Sequence, residues 1–231
     1  MPITKGCNVR VVVDGIDLSS QSSGAQLAAA MGVAEYFIMT DCAAQKEPTR
    51  PAVTLAHNGY FTGEGATAFE EALKARLASA TDVRVAFIIL PSIFYLLRQT
   101  WADQMSLDAP VEEMLTVEGN WAEAGQVARG RVILGGSVAT GTVSAVLDLG
   151  AARIGTPGTL FFAASGYTDG RDVTILVEGS ANGTSGWSTV RSQLLADVGD
   201  AEYNVASLPR YLRATVTFAG GGSINAYTGI I

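Results

Sequence analysis

The chain has 231 residues, which is enough for one large or two small domains. Hydrophobic residues make up 48% of it and charged residues 16%, a composition too apolar for a disordered chain. The 22 acidic residues outnumber the 15 Lys and Arg, and the net charge of −7 excludes a protein that binds nucleic acid through a basic face. The 26 glycines indicate many short strands joined by tight turns.

The first strand is predicted over residues 8–18, where a valine-rich run meets Asp14-Gly15, a turn or bulge signal. The residue pattern of 24–40 fits either a helix or a strand. Their alanines favour a helix, the aromatic and β-branched residues near their end favour a strand, and Gly32 interrupts the pattern.

The next two segments predict a loop and then a strand. Residues 41–51, "DCAAQKEPTRP", hold two prolines and four charges, a composition typical of a loop. In residues 52–62 the side chains of Val53, Leu55 and His57 alternate onto one face, which is the period of a strand.

The clearest helix is predicted from Thr67 to Ser79. Thr67 and Glu70 have the spacing of a capping box at a helix N-terminus. An apolar stripe recurs every four residues at Phe69, Leu73 and Leu77.

The most apolar stretch, residues 83–97, carries Arg84 and is broken by Pro91, so it is too short for a membrane span. It predicts a buried strand followed by a turn or short helix. The bulky residues of "IFYLLRQTW", 93–101, fit either a subunit-interface patch or an inserted turn of the core. Alternation at 116–121 predicts another strand.

After a short predicted strand at 127–134, the character of the chain changes at Gly135-Gly136. Each later segment is a β-rich run followed by a turn of Gly, Ser or Asn, and none is a convincing helix. This pattern is typical of an all-β, immunoglobulin-like sandwich. We therefore predict an N-terminal domain at 1–136 and a C-terminal domain at 137–231.

No residue set predicts catalysis, a metal site or a cofactor. Cys7 and Cys42 have no CxxC spacing, which favours two free thiols over a zinc site or a disulfide. His57 is the only histidine, and no G-x-S-x-G serine elbow accompanies it. The glutamate pairs at 70–71 and 112–113 are adjacent residues that cannot share a face. We therefore predict that the protein is not an enzyme.

Aromatic residues of the second domain raise an alternative function. Trp187, Tyr167 and Tyr203 fit a sugar-stacking platform as well as ordinary core or interface positions. A β-sandwich module that binds carbohydrate or a cell surface is thus the competing hypothesis. The oxygen-rich stretch at 172–187 lacks the acid spacing of an EF-hand and predicts a hairpin turn.

The order of segments carries more information than any single one. A basic "TKG" precedes a strand with the motif V-D-G-x-D-L-S, and a later strand ends in G-Y-F before the lone helix. The matching residues are Val13, Asp14, Gly15, Asp17, Leu18, Ser19, Gly59, Tyr60 and Phe61. Over residues 4–135 this order resembles the tail tube protein (major tail protein) of long-tailed bacteriophages.

The resemblance implies a mainly β fold. The first domain would be a tail-tube-like β-sandwich or half-barrel with one flanking α-helix, and the C-terminal sandwich would decorate the outside of the tube. Six copies would form a ring, and stacked rings would form a tube that conducts DNA into the host. The −5 charge of residues 1–135 agrees with an acidic lumen to which DNA does not adhere.

The resemblance also implies partners and a location. The tape measure protein and the tail terminator or distal tail proteins would contact the tube, DNA would pass through it transiently, and the C-terminal domain could contact a host-surface glycan. No membrane insertion is expected. The subunit would assemble in the host cytoplasm and reside in the virion tail. The loop would reach the next ring through a ring-stacking segment: Gln45, Lys46, Glu47, Pro48, Thr49 and Arg50.

Overall fold

The computed structural model describes residues 8–38, 43–60, 74–75, 83–108, 116–123, 127–153, 155–165, 172–195 and 199–231. The described residues are mainly β, which confirms the predicted class, and they form sixteen strands. In chain order these are β1 (Val9–Val13), β2 (Ile16–Asp17), β3 (Ser22–Ile38), β4 (Ala43–Tyr60), β5 (Val83–Ile89), β6 (Ile93–Asp108), β7 (Thr116–Glu123), β8 (Ala128–Ala139), β9 (Thr142–Val143), β10 (Leu147–Asp148), β11 (Gly158–Ser165), β12 (Val173–Ser180), β13 (Ser188–Leu195), β14 (Gly199–Val205), β15 (Tyr211–Phe218) and β16 (Ser223–Ile230).

The chain divides into two compact units. Unit 1 comprises residues 1–20, 85–96 and 128–231, and unit 2 comprises residues 21–84 and 97–127. In unit 1, neighbouring strands of the larger sheet follow the order β14-β11-β16-β8-β6-β5-β1-β2. A second sheet of unit 1 has the order β10-β15-β12-β13, with β9 beside β15.

The predicted turn at Asp14-Gly15 is confirmed as the two-residue loop of the β1–β2 hairpin. The φ angles of Asp14 and Gly15 are 46° and 84°, both in the left-handed region that a type I′ turn requires. Directly after it, Asp17 Oδ1 accepts a hydrogen bond from Ser19 N at 2.9 Å, and the other carboxylate oxygen accepts one from the Tyr227 hydroxyl of β16. The motif therefore joins the first hairpin to the last strand of unit 1.

One core of unit 1 lies between its two sheets. Inward side chains alternate along β12, where Val173, Ile175 and Val177 are fully buried. They cluster with Leu160 and Phe162 of β11. Alternate residues of a strand point to the same face, so a strand that packs one face on the core buries every second side chain.

A second core of unit 1 uses the opposite face of β11. Phe161 clusters there with Val12, Ile88 and Phe94, and the rings of Phe94 and Phe161 stack with centroids 5.7 Å apart. Since successive side chains of a strand point to opposite faces, β11 contributes to both cores. This double burial explains why "LFFAA", residues 160–164, is a continuous apolar run.

Unit 2 contains β3, β4, β7 and the second part of β6. Here β4 pairs with both β3 and β7, and β7 pairs with β6. The predicted alternation on β4 is confirmed, because Val53, Leu55 and His57 are all buried. Val117 and Trp121 of β7 are fully buried in the same alternating manner.

Two ambiguous segments of the sequence are strands. Residues 24–40 fall largely within β3, so their alanines do not form a helix. Residues 43–51 belong to β4, and the predicted loop at 41–51 is wrong over that range. In both cases antiparallel pairing between β3 and β4, from Ser22 opposite Gly59 to Ile38 opposite Ala43, outweighs local composition.

The apolar stretch from residue 83 is two strands joined by a turn. β5 ends at Ile89, the Leu90–Pro91 peptide bond is cis, and β6 begins at Ile93. The bulky residues 93–101 are therefore a strand, not an inserted turn. Phe94 packs in the second core of unit 1, whereas Trp101, in unit 2, is 43% exposed.

Several expectations stay predictions. Residues 74 and 75 are helical, and the rest of the predicted helix lies outside the described residues, as do Cys7 and Cys42. β8 runs through residues 136 and 137, where the domain boundary is predicted. That boundary and the immunoglobulin-like topology of residues 137–231 stay predictions.

Candidate functional site

The feature of unit 2 best suited to bind a partner is the edge of β3 that does not face β4. Among the described residues, β3 pairs with β4 and with no other strand. Its seventeen residues include one charge, Glu35, and neither Lys nor Pro. Every residue from 23 to 30 is exposed or half-buried. Natural proteins protect edges of this kind with charges, prolines or a covering segment, because an open edge templates pairing with another chain.

Within the described residues, the far part of the β3–β4 ribbon is open along both edges. β7 pairs with β4 only from Val53 to Tyr60, so within the described residues Ala43–Ala52 pair with β3 alone. The doubly open part covers the pairs from Ala30 opposite Ala52 to Ile38 opposite Ala43. At about 3.3 Å per residue this is a ribbon of roughly 30 Å. An isolated pair of strands is marginally stable in water, so the ribbon has the form of an element completed by a partner.

All six predicted ring-stacking residues lie on this ribbon. Gln45, Lys46 and Glu47 pair with Tyr36, Glu35 and Ala34 of β3. Pro48, Thr49 and Arg50 follow at a register shift, where Val33 is opposite Pro48 and Met31 is opposite Pro51. A bulge of this kind accommodates prolines, which lack the N–H that a regular ladder needs. The stacking role of the six residues stays a prediction.

His57 is the only histidine of the chain, and its side chain is fully buried on β4. Its Nε2 shares a hydrogen bond with the Ser22 hydroxyl of β3. Burial lowers the pKa of His57 from 6.5 to about 4, so the imidazole is neutral at neutral pH. A Ser–His pair is part of many nucleophilic sites, but a substrate cannot reach a fully buried imidazole. The geometry therefore supports a structural role that ties β3 to β4.

The aromatic residues proposed as a sugar platform are engaged by arginines in unit 1. The Arg213 guanidinium lies 4.2 Å from the centroid of the Trp187 ring, and Arg191 lies 3.4 Å from that of Tyr203. Each contact is a cation–π interaction that occupies one ring face. Tyr167 lies outside the described residues. Trp187 and Tyr203 are thus not open on both faces, as a sandwiching sugar site would need.

The described residues contain no group of three or more His, Cys, Asp or Glu placed to hold a metal ion. No helix within the described ranges is long and apolar enough to cross a membrane.

No family model and no curated protein matches this chain. Solved structures to which this chain shows a likeness include a protein in the virion of a native gene transfer agent particle, at 9% identity and a TM-score of 0.43, which covers 55% of this chain and 98% of that one. The SPP1 Dit protein, described as a paradigm of the hub adsorption apparatus in phages that infect Gram-positive bacteria, has 13% identity and a TM-score of 0.38, and it covers 96% of this chain and 99% of that one.

A third similar structure is the sheath–tube terminator of an extracellular contractile injection system, at 10% identity and a TM-score of 0.42, which covers 56% of this chain and 96% of that one. At these identities and TM-scores the likenesses establish neither a family nor a function.

The open β3 edge is not predictable from the sequence, because residues 24–40 fit either a helix or a strand. A signal was present in the low charge of the segment and in its end "AEYFI", which is strand-like. The partner strand, however, is supplied by residues that read locally as a loop.

Proposed function

We propose that the protein is a structural subunit of a phage tail tube, built from hexameric rings that stack into a tube. The observation that carries this proposal is the β3–β4 ribbon with its open edges. A ring needs one surface of each copy to bind a different surface of the next. An exposed strand edge meets that need, because its free N–H and C=O groups can extend a neighbour's sheet.

The chemistry of the chain is consistent with a role in assembly. The ribbon supplies backbone hydrogen bonds, and the small exposed residues Ala28, Ala29 and Ala30 of β3 suit close approach of a second sheet. The −7 net charge opposes adhesion of DNA to the protein, as a conduit requires. In this proposal the half-barrel of the N-terminal domain lines the tube, and the C-terminal sandwich lies outside it.

The proposed partners follow from the same assembly. The tape measure protein would occupy the tube, terminator and distal tail proteins would close its ends, and DNA would pass through without stable binding. Assembly would take place in the host cytoplasm and the product would reside in the virion. Residues 45–50, near the end of the ribbon, would contact the next ring.

The test is the assembly state of the full chain, measured by light scattering after size exclusion and by negative-stain microscopy. Wild-type protein is expected to form rings or tubes as its concentration rises. Replacing exposed Ala28 and Ala30 of β3 by lysine should leave a folded protein that does not form them, since edge lysines block strand pairing.

The matched control adds two lysines at exposed positions away from the ribbon, Ala145→Lys with Thr217→Lys. This control changes the net charge equally and should assemble as the wild type does. A wild type that stays monomeric at high concentration, or a β3 variant that assembles as well as the control, would refute the proposal.

A further inference from the structure

Unit 1 contains a concave pocket rich in arginine that the proposed strand pairing does not use. Its volume is about 570 Å³, and it lies beside β8, β10 and the turn before β6. Three arginines line it: Arg129, Arg131 and Arg153. Apolar side chains, including Leu147, Leu149 and Ile230, line the rest.

The arginines are placed to act together. Arg129 and Arg131 are two residues apart on β8 and both are exposed, so they project from one face of the strand at a spacing of about 7 Å. Arg131 Nη1 donates a hydrogen bond to the Asp148 carbonyl oxygen at 2.8 Å, which fixes its direction. The side chains of Arg129 and Arg153 make no hydrogen bond or ion pair with any described residue.

Asp148, whose carbonyl oxygen Arg131 contacts, has its carboxylate paired with a different arginine. The Asp148 carboxylate accepts two hydrogen bonds from Arg210, at 2.9 and 2.8 Å. The hydrogen bond from Arg210, followed by the one from Gly150 N, lowers the pKa of Asp148 to about 2. Among the described residues that line the pocket are three arginines and no Asp or Glu, so the side chains of its lining carry net positive charge.

The size and lining of the pocket indicate what it takes. A volume of 570 Å³ is far larger than one inorganic anion and falls in the range of sites that hold a larger ligand or a short chain segment. Guanidinium groups bind carboxylates through two parallel hydrogen bonds. An occupant with carboxylates beside apolar side chains satisfies both parts of the lining.

We propose that this pocket binds an acidic segment of a second copy of the chain. Charge complementarity supports this occupant, because the chain carries 22 acidic against 15 basic residues and each copy therefore has a net negative charge. The contact joins unlike surfaces, so it propagates from copy to copy. The inference rests on the proposed function, since it assigns a second contact within the same assembly.

The test compares self-association of the full chain by sedimentation velocity at about 0.05 M and about 0.5 M NaCl. The variant Arg129→Gln with Arg153→Gln removes two charges from the pocket. The control, Lys74→Gln with Arg84→Gln, removes two charges outside it. We expect the pocket variant to weaken self-association at low salt by about tenfold or more relative to the control, and high salt to weaken the wild type similarly.

A third variant, Arg129→Lys with Arg153→Lys, keeps the charge and loses the bidentate geometry, so it should fall between wild type and the glutamine variant. Thermal unfolding checks that all variants are folded. A pocket variant that self-associates as the control does would overturn the inference. Binding of a free carboxylate such as citrate to the wild-type monomer would not rescue it, because the proposed occupant is a second copy of the chain. A wild type that is monomeric at every concentration would overturn it too.

The outcomes separate the two proposals. If the wild type forms rings and the pocket variant forms them equally well, the pocket inference fails and the tube proposal stands. If the wild type associates through the pocket into species that microscopy shows are not rings, the tube proposal fails and the pocket inference stands.

Discussion

Acidification should destabilise unit 2 through the one histidine of the chain. Burial lowers the pKa of His57 to about 4, whereas the unfolded chain keeps an ordinary value near 6.5. Between these values the unfolded state binds a proton that the folded state does not, so stability falls as the pH is lowered. The loss begins near pH 6.5 and is complete at about pH 4, and above pH 6.5 His57 has no effect on the pH dependence.

The magnitude follows from the pKa difference. Each pKa unit corresponds to about 1.4 kcal/mol, so the drop from 6.5 to about 4 amounts to about 3 kcal/mol of unfolding free energy. The steepest slope is about 1.4 kcal/mol per pH unit, for one proton. Total stabilities of about 5–15 kcal/mol make this a large fraction.

The assay is urea unfolding followed by tryptophan fluorescence at several pH values from 7 to about 4. Two of the three tryptophans, Trp101 and Trp121, belong to unit 2, so a Trp187→Phe background makes the signal specific to it. His57→Asn in that background removes the only imidazole. The unfolding free energy of this variant should depend less steeply on pH between pH 6.5 and 4, because no histidine titrates in that range.

The comparison is between pH slopes rather than absolute stabilities. His57→Asn also changes packing and the hydrogen bond to Ser22, and both effects shift the curve at every pH. Titrating carboxylates affect both proteins equally. Identical slopes in the two proteins would refute the reasoning that His57 is buried as the neutral form.

Three further predictions concern unit 1. Gly15→Ala should lower the unfolding free energy measured by chemical denaturation by roughly 1–3 kcal/mol, because φ of Gly15 is +84° and a Cβ there would clash with the Gly199 backbone. The control is Gly24→Ala, where a Cβ has open space, and equal effects of the two substitutions would contradict the turn geometry. Phe94→Ala should cost about 3–5 kcal/mol by the same measurement, since it empties part of the second core; a loss no larger than that of a surface substitution would contradict this packing. Arg210→Gln should raise the pKa of Asp148 from about 2 toward its ordinary range in an NMR titration while barely changing stability, because the pair is exposed; an unmoved pKa would exclude Arg210 as the cause.

Elements with strong local patterns were predictable. The Asp14-Gly15 turn needs two residues that tolerate positive φ, and that requirement is visible in the residue types. The alternation at Val53, Leu55 and His57 predicted which face of β4 is buried. The interpretation of His57 as a strand residue rather than a catalytic one agrees with its burial.

Elements whose conformation depends on a distant partner were not predictable. The alanines of β3 have no strand preference of their own, and the prolines and charges of residues 43–51 read as a loop. Each segment becomes a strand because the other supplies its hydrogen bonds. The open edge of β3 therefore exists only as a property of the pair.

The sequence by itself determined the β class of the chain and its first turn, because these depend on residue types at short spacing. Only the tertiary structure showed which strand edges are open and that Arg153 joins Arg129 and Arg131 in one pocket. Both features depend on strands that pair across long stretches of chain, and no local pattern encodes that pairing.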